Sequence, residues 1–109
     1  MPNKNETSKY LPLSEATYYI MLALIEPLHG YGVMQKVTGL SGGTVELGAG
    51  TLYGVLTSLE KEGLIIMVRE EERRKIYALT PRGRAVLRAQ ISRLEVMTDN
   101  GQAFLRYLE

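Results

Sequence analysis

Two sets of side chains have the types and spacing to hold a polyanion. The first is Arg73-Arg74-Lys75, three consecutive cations. The second is Thr51, Tyr53, Thr57, Ser58 and Lys61, which fall on the side of a helical pattern opposite an apolar stripe. That stripe, Leu52, Val55, Leu56 and Leu59, recurs at i, i+3, i+4 and i+7. Hydroxyls can donate to or accept from base edges, and a threonine methyl can touch a thymine methyl. Gly50 and Gly54 present no side chain, so the backbone there can approach a ligand closely. The helix carries no Arg, Asn or Gln, the residues that contact bases bidentately. Direct reading of sequence is therefore expected to be modest, with phosphate contacts and nucleic-acid shape carrying much of the affinity.

Other chemistries find little support. With no cysteine and one histidine, His29, the 109-residue chain has no thiol nucleophile, no disulfide framework and no His/Cys metal set. His29 is read as stabilising a turn. Gly48-Ala49-Gly50 lacks the Gly-Lys-Ser/Thr ending of a phosphate loop. No paired carboxylates or triad suggest an enzyme, and no cofactor is expected. The net charge is only +1, so any nucleic-acid binding must come from how the charge is distributed. Glu70-Glu71-Glu72 precede the cations and offer the alternative of an internally paired, solvated cluster. No apolar run approaches the roughly 20 residues that cross a bilayer, and the polar start of the chain lacks a signal-peptide pattern. A reducing cytoplasm fits this composition.

The elements that must position these residues follow from pattern and punctuation. Residues 14–26 read as a first helix with Ser14 as N-cap and Pro27 as terminator. It is apolar nearly all round, which predicts burial on more than one side, one of them against a second chain. Leu28-His29-Gly30-Tyr31-Gly32 reads as a turn with Gly30 as a possible N-cap, followed by a short helix over 31–40. Thr44-Val45-Glu46-Leu47 has β-type residues and is expected to form a short strand. The recognition-type helix spans 49–62, and Gly63 stops it. Runs 64–69 and 75–79 read as a hairpin with a charged tip of unspecified turn type. Thr80-Pro81 opens a last helix as N-cap and N1. In it Leu87, Ile91, Leu94, Leu105 and Leu108 keep a coiled-coil-like register, and Asp99-Asn100-Gly101 mark a possible bend or break. The expected organisation is an N-terminal arm over 1–12, a winged helix-turn-helix domain over 13–80 and a C-terminal dimerisation helix over 81–109. The fold class is mainly α with a small β-hairpin wing.

Four segments in this order resemble the PadR family of transcriptional regulators: Leu13-Ser14-Glu15-Ala16 through Leu24-Ile25-Glu26-Pro27; Leu28-His29-Gly30-Tyr31-Gly32-Val33-Met34; Gly50-Thr51-Leu52-Tyr53 with Leu59-Glu60-Lys61-Glu62-Gly63-Leu64-Ile65; and Arg73-Arg74-Lys75-Ile76-Tyr77-Ala78-Leu79-Thr80-Pro81-Arg82-Gly83. The resemblance covers about 13–93, and the chain is similar to the subgroup with a single C-terminal helix. It implies a homodimer, with the last helix packed on the partner's first, and a winged domain in each subunit on a two-fold-related DNA operator. It also implies repression relieved by a small aromatic or drug-like molecule. The expected DNA contacts are then Gly50, Thr51, Tyr53, Thr57, Ser58, Lys61, Arg73, Arg74 and Lys75. A ligand between subunits would meet Tyr18, Met21, Met97 and Phe104, since aromatics and adaptable methionines suit loosely specified apolar molecules. The alternative is a winged-helix module that binds another protein and no specific DNA.

Overall fold

The computed structural model describes residues 7–109. Its elements run α1 (Glu15–Ala23), β1 (Leu28–His29), α2 (Gly30–Leu40), α3 (Ala49–Lys61), β2 (Ile65–Glu71), β3 (Arg74–Leu79) and α4 (Pro81–Gln102), then a short 3-10 turn, Leu105–Tyr107. The strands form one antiparallel sheet in the order β1-β3-β2. The result is a winged helix with a long C-terminal helix, as the pattern predicts.

Local chemistry sets the boundaries. Ser14 Oγ accepts the Thr17 N–H at the start of α1, and Thr80 Oγ1 accepts the Gly83 N–H at the start of α4. α3 ends in a Schellman motif. Gly63 takes φ +75°, its N–H donates to the Glu60 carbonyl, and the Leu64 N–H reaches back to the Leu59 carbonyl. Both Leu59 and Leu64 are buried, so the motif also closes an apolar contact across the helix end.

The core lies where α1, α2 and α3 meet the sheet and the first turns of α4. Ile20, Met21, Leu24, Val33, Val37, Leu52, Leu56, Leu64, Ile65 and Val86 have almost no accessible surface. Ile20, Met21 and Ala23 of α1 thus face this core, while Tyr18, Tyr19 and Leu22 are only partly buried. Val96, Met97, Phe104, Leu105, Tyr107 and Leu108, on the distal part of α4 and beyond, stay exposed. The Cα radius of gyration, 15.3 Å, exceeds the roughly 13 Å of a compact chain this long, because α4 projects from the domain.

Several expectations are corrected. Thr44–Leu47 forms no strand. Ser41 Oγ accepts the Val45 N–H and donates to the Val45 carbonyl, so the backbone is satisfied locally, and Val45 is tucked into the core as a loop residue. The third strand is instead Leu28–His29, read from sequence as a turn, which pairs Leu28 with Tyr77 and His29 with Ile76. The N-cap of α2 is His29, not Gly30. Asp99-Asn100-Gly101 do not break α4, which runs on to Gln102. Of the expected N-terminal arm, residues 1–6 lie outside the described residues, whereas Tyr10 and Leu11 pack against the core.

The hairpin tip has a two-residue turn, Glu72-Arg73, with φ of +49° and +67°. Such a turn matches strand twist but favours Asn-Gly, because L residues resist positive φ. Glu72→Asn combined with Arg73→Gly is expected to stabilise the fold by about 1 kcal/mol, or roughly 4–8 °C in Tm. Differential scanning calorimetry checks this; an unchanged or lowered Tm would show that the tip carries no strain.

Candidate nucleic-acid interface

α3 is anchored by Leu52, Leu56 and Leu59 in the core. This fixes the opposite face, and Gly50, Thr51, Tyr53, Thr57, Ser58 and Lys61 are all exposed on it. The Thr57 hydroxyl donates to the Tyr53 carbonyl at 2.8 Å, leaving its lone pairs outward. Tyr53 is 50% exposed and therefore not a core residue. Its ring lies over the start of α2, so close that a Cβ on Gly30 would sit 2.6 Å from the phenol oxygen. That glycine lets the recognition-type helix and α2 touch.

The wing folds beside this face. β3 pairs with β2 from Ile65↔Leu79 to Glu71↔Arg74, with an irregularity between Met67 and Arg69 that kinks the ribbon. Arg73, Arg74 and Lys75 thereby stand next to α3. Among the described residues the one ion pair is Arg69–Glu71. The three cations at the tip make none, although Glu70 and Glu71 stand across the strands from Lys75 and Arg74.

The wing, α3 and the start of α2 enclose a cleft of about 430 Å³. Tyr53, Thr57, Arg73, Arg74 and Lys75 line it, together with His29, Gly30, Tyr31, Glu70 and Tyr77. Gly50, Thr51, Ser58 and Lys61 lie on α3 outside it. On the cleft floor, burial pushes the Tyr77 phenol above its ordinary value, and the nearby Glu60 and Tyr53 add to the effect. The contributions of His29 and Tyr31 were not legible from sequence. The histidine-glycine-tyrosine segment was visible only as a turn, and its place beside the wing comes from the β1–β3 pairing.

The expected ligand residues separate. Tyr18 lines a second cavity, about 280 Å³, between α1 and α4, with Leu13, Glu15, Tyr19, Gln90 and Leu94. Gln90 is buried there and accepts the Leu13 N–H at 3.0 Å. Met97 and Phe104 are exposed further along the chain. Met21 has no accessible surface; it is a core side chain of the winged domain and does not face this cavity. Among the described residues no group of His, Cys, Asp and Glu is placed to hold a metal ion, and no helix is long and apolar enough to cross a membrane.

Comparison with known proteins gives a consistent answer. A transcriptional regulator from Clostridium thermocellum superposes with a TM-score of 0.69 at 24% identity, covering 84% of this chain and 92% of that one. A PadR family transcriptional regulator from Eggerthella lenta gives 0.67 at 27% identity, covering 82% and 80%. Bordetella bronchiseptica BpsR, described in terms of the regulation of its DNA binding by 6-hydroxynicotinic acid, gives 0.65 at 20% identity, covering 88% and 68%. By sequence, the chain is 37% identical over 75 residues to an uncharacterised protein in transposon TN4556 of Streptomyces fradiae, matching 68% of this chain but only 21% of that much longer relative. The model of the PadR-like transcriptional regulator family matches residues 10–89. With that match spanning most of the winged domain and the first turns of α4, the chain belongs to the PadR-like family of transcriptional regulators.

Proposed function

We propose that the protein is a dimeric repressor, acting in the cytoplasm, which binds a two-fold-related DNA operator and is released from it by a small aromatic or drug-like molecule. One observation carries the DNA-binding part. The anchored face of α3 exposes Thr51, Tyr53, Thr57, Ser58 and Lys61 beside a wing whose three cations make no direct ion pair among the described residues. In this docking the start of α3 enters the major groove, and Gly50, Thr51 and Tyr53 meet base edges or the flanking backbone. Thr57, Ser58 and Lys61 follow along the groove wall, and Arg73, Arg74 and Lys75 reach phosphates. The ligand part is supported by the α1–α4 cavity with Tyr18 on its wall, and by the ligand-regulated DNA binding for which BpsR is described. Met97 and Phe104, exposed on the distal part of the chain, complete that site where two subunits meet.

The test is fluorescence anisotropy with DNA from the chain's own upstream region, across a salt series. Binding of that DNA in preference to scrambled duplex is expected. Changing Arg73, Arg74 and Lys75 together to Ala should make the slope of log K against log salt shallower by about 2.7, at about 0.9 per phosphate contact. A winged domain devoted to protein partners would show no specific binding even at low salt.

A further inference from the structure

His29 holds two positions at once. Its Nδ1 accepts the Gly32 N–H at 3.0 Å and so caps α2. An acceptor nitrogen carries no proton, so in the neutral ring the proton sits on Nε2. That Nε2 lies 3.3 Å from an Arg74 guanidinium nitrogen. A guanidinium has five N–H donors and no acceptor. Two donors therefore face each other at the surface, and among the described residues no protein oxygen accepts from the His29 Nε2–H or the Arg74 guanidinium. Such a pair is satisfied by one anionic oxygen that takes both hydrogen bonds. On one side the pair opens on the cleft between the wing and α2, where Arg73 and Lys75 add positive charge beside Glu70 and the Tyr53 and Tyr31 rings form the wall; on its other side lie Glu71, already paired with Arg69, and Glu72.

We propose that His29 Nε2–H and Arg74 together grip one phosphate of the DNA backbone, which makes the α2 cap a DNA contact as well as a structural one. This rests on the DNA-binding reading above. It adds a contact from α2 to those from α3 and the wing, and so fixes the wing relative to the helices on the duplex. His29 contributes as a neutral donor, Arg74 as a charge.

The protein has a single histidine, so its imidazole gives one unambiguous set of NMR signals. Long-range proton–nitrogen spectra of the free chain should show Nδ1 unprotonated and Nε2 protonated. The Nε2–H signal should then shift on adding DNA duplex, and not with inorganic phosphate at the same phosphate concentration. In anisotropy titrations, His29→Asn keeps a side-chain oxygen for the Gly32 N–H but loses Nε2. It should weaken binding about tenfold on every DNA sequence and leave the salt slope unchanged. Arg74→Gln should weaken binding comparably and make the slope shallower by about 0.9. Because both hold the same phosphate, the double variant should lose clearly less than the product of the two. A proton found on Nδ1, an Nε2–H signal unmoved by DNA, an equal shift with inorganic phosphate, or wild-type affinity in a folded His29→Asn chain each overturns the grip while leaving the wider DNA reading intact. A wild-type chain that binds no DNA at low salt overturns both.

Discussion

Gly83→Ala is expected to be among the most damaging single substitutions in this protein. The first turn of α4 lies directly on the chain leaving α3, and a Cβ on Gly83 would collide with the Leu64 carbonyl oxygen and carbon. Those are backbone atoms, so no side chain can swing aside. The same carbonyl oxygen accepts the Thr80 N–H at 3.0 Å, and the Thr80 hydroxyl donates to the Gly63 carbonyl at 2.6 Å. Separating the two segments to admit one methyl would stretch both bonds and draw Val86 and Leu87 partly out of the core. The expected cost is about 3 kcal/mol, at the upper end for overpacking, which corresponds to roughly 12–24 °C in Tm. Urea unfolding monitored by circular dichroism measures it. A change below about 0.5 kcal/mol, the range of ordinary surface substitutions, would show that the contact relaxes freely.

Met97→Glu combined with Leu105→Glu should act on assembly and spare the fold. Both side chains are exposed and belong to the apolar run on the distal part of α4 and beyond, which lies outside the core of the winged domain. If that run joins two subunits, carboxylates there face an apolar partner surface and must be desolvated without a counter-charge. Sedimentation should then show a monomer where the unaltered chain is a dimer, with a nearly unchanged Tm for the winged domain. Operator affinity should fall by about 10²–10⁴, because two linked half-site contacts become two independent ones. A variant that remains dimeric would move the interface off this face.

Much of this architecture could be read in the residues, and the failures have physical causes. The stripe of Leu52, Val55, Leu56 and Leu59 identifies the buried face of α3, because a helix this regular has only one way to face a core. Gly63 and Thr80-Pro81 mark boundaries through chemistry local to each. What escaped was non-local. Leu28–His29 is too short to show a strand pattern and becomes a strand only by pairing with Ile76 and Tyr77. Thr44–Leu47 has the composition of a strand but no neighbour to pair with, and Ser41 takes its hydrogen bonds. Met21 follows the same rule. Its type suits a ligand site, yet the rotation of α1, set by everything packed around it, turns it into the core. The α3 and wing residues were visible as a polar face and a cation run. The cleft that Tyr53, Thr57, Arg73, Arg74 and Lys75 share with His29 was not, since it depends on the sheet bringing β1 beside the wing.

The crossing at Leu64 and Gly83 has a mechanical consequence. The end of α3, the start of β2 and the start of α4 are stitched together within a few residues, so helix and projection turn as one rigid crank. α4 is about 33 Å long at 1.5 Å per residue. A tilt of only about 5° at the junction would therefore carry its far end about 3 Å along an arc. In the proposed dimer, with the far ends clasped across a two-fold axis, a small change in how the two shafts cross would swing both winged domains, whose separation would have to match the roughly 34 Å repeat of the double helix. The gearing is set by one glycine that allows two backbones to touch.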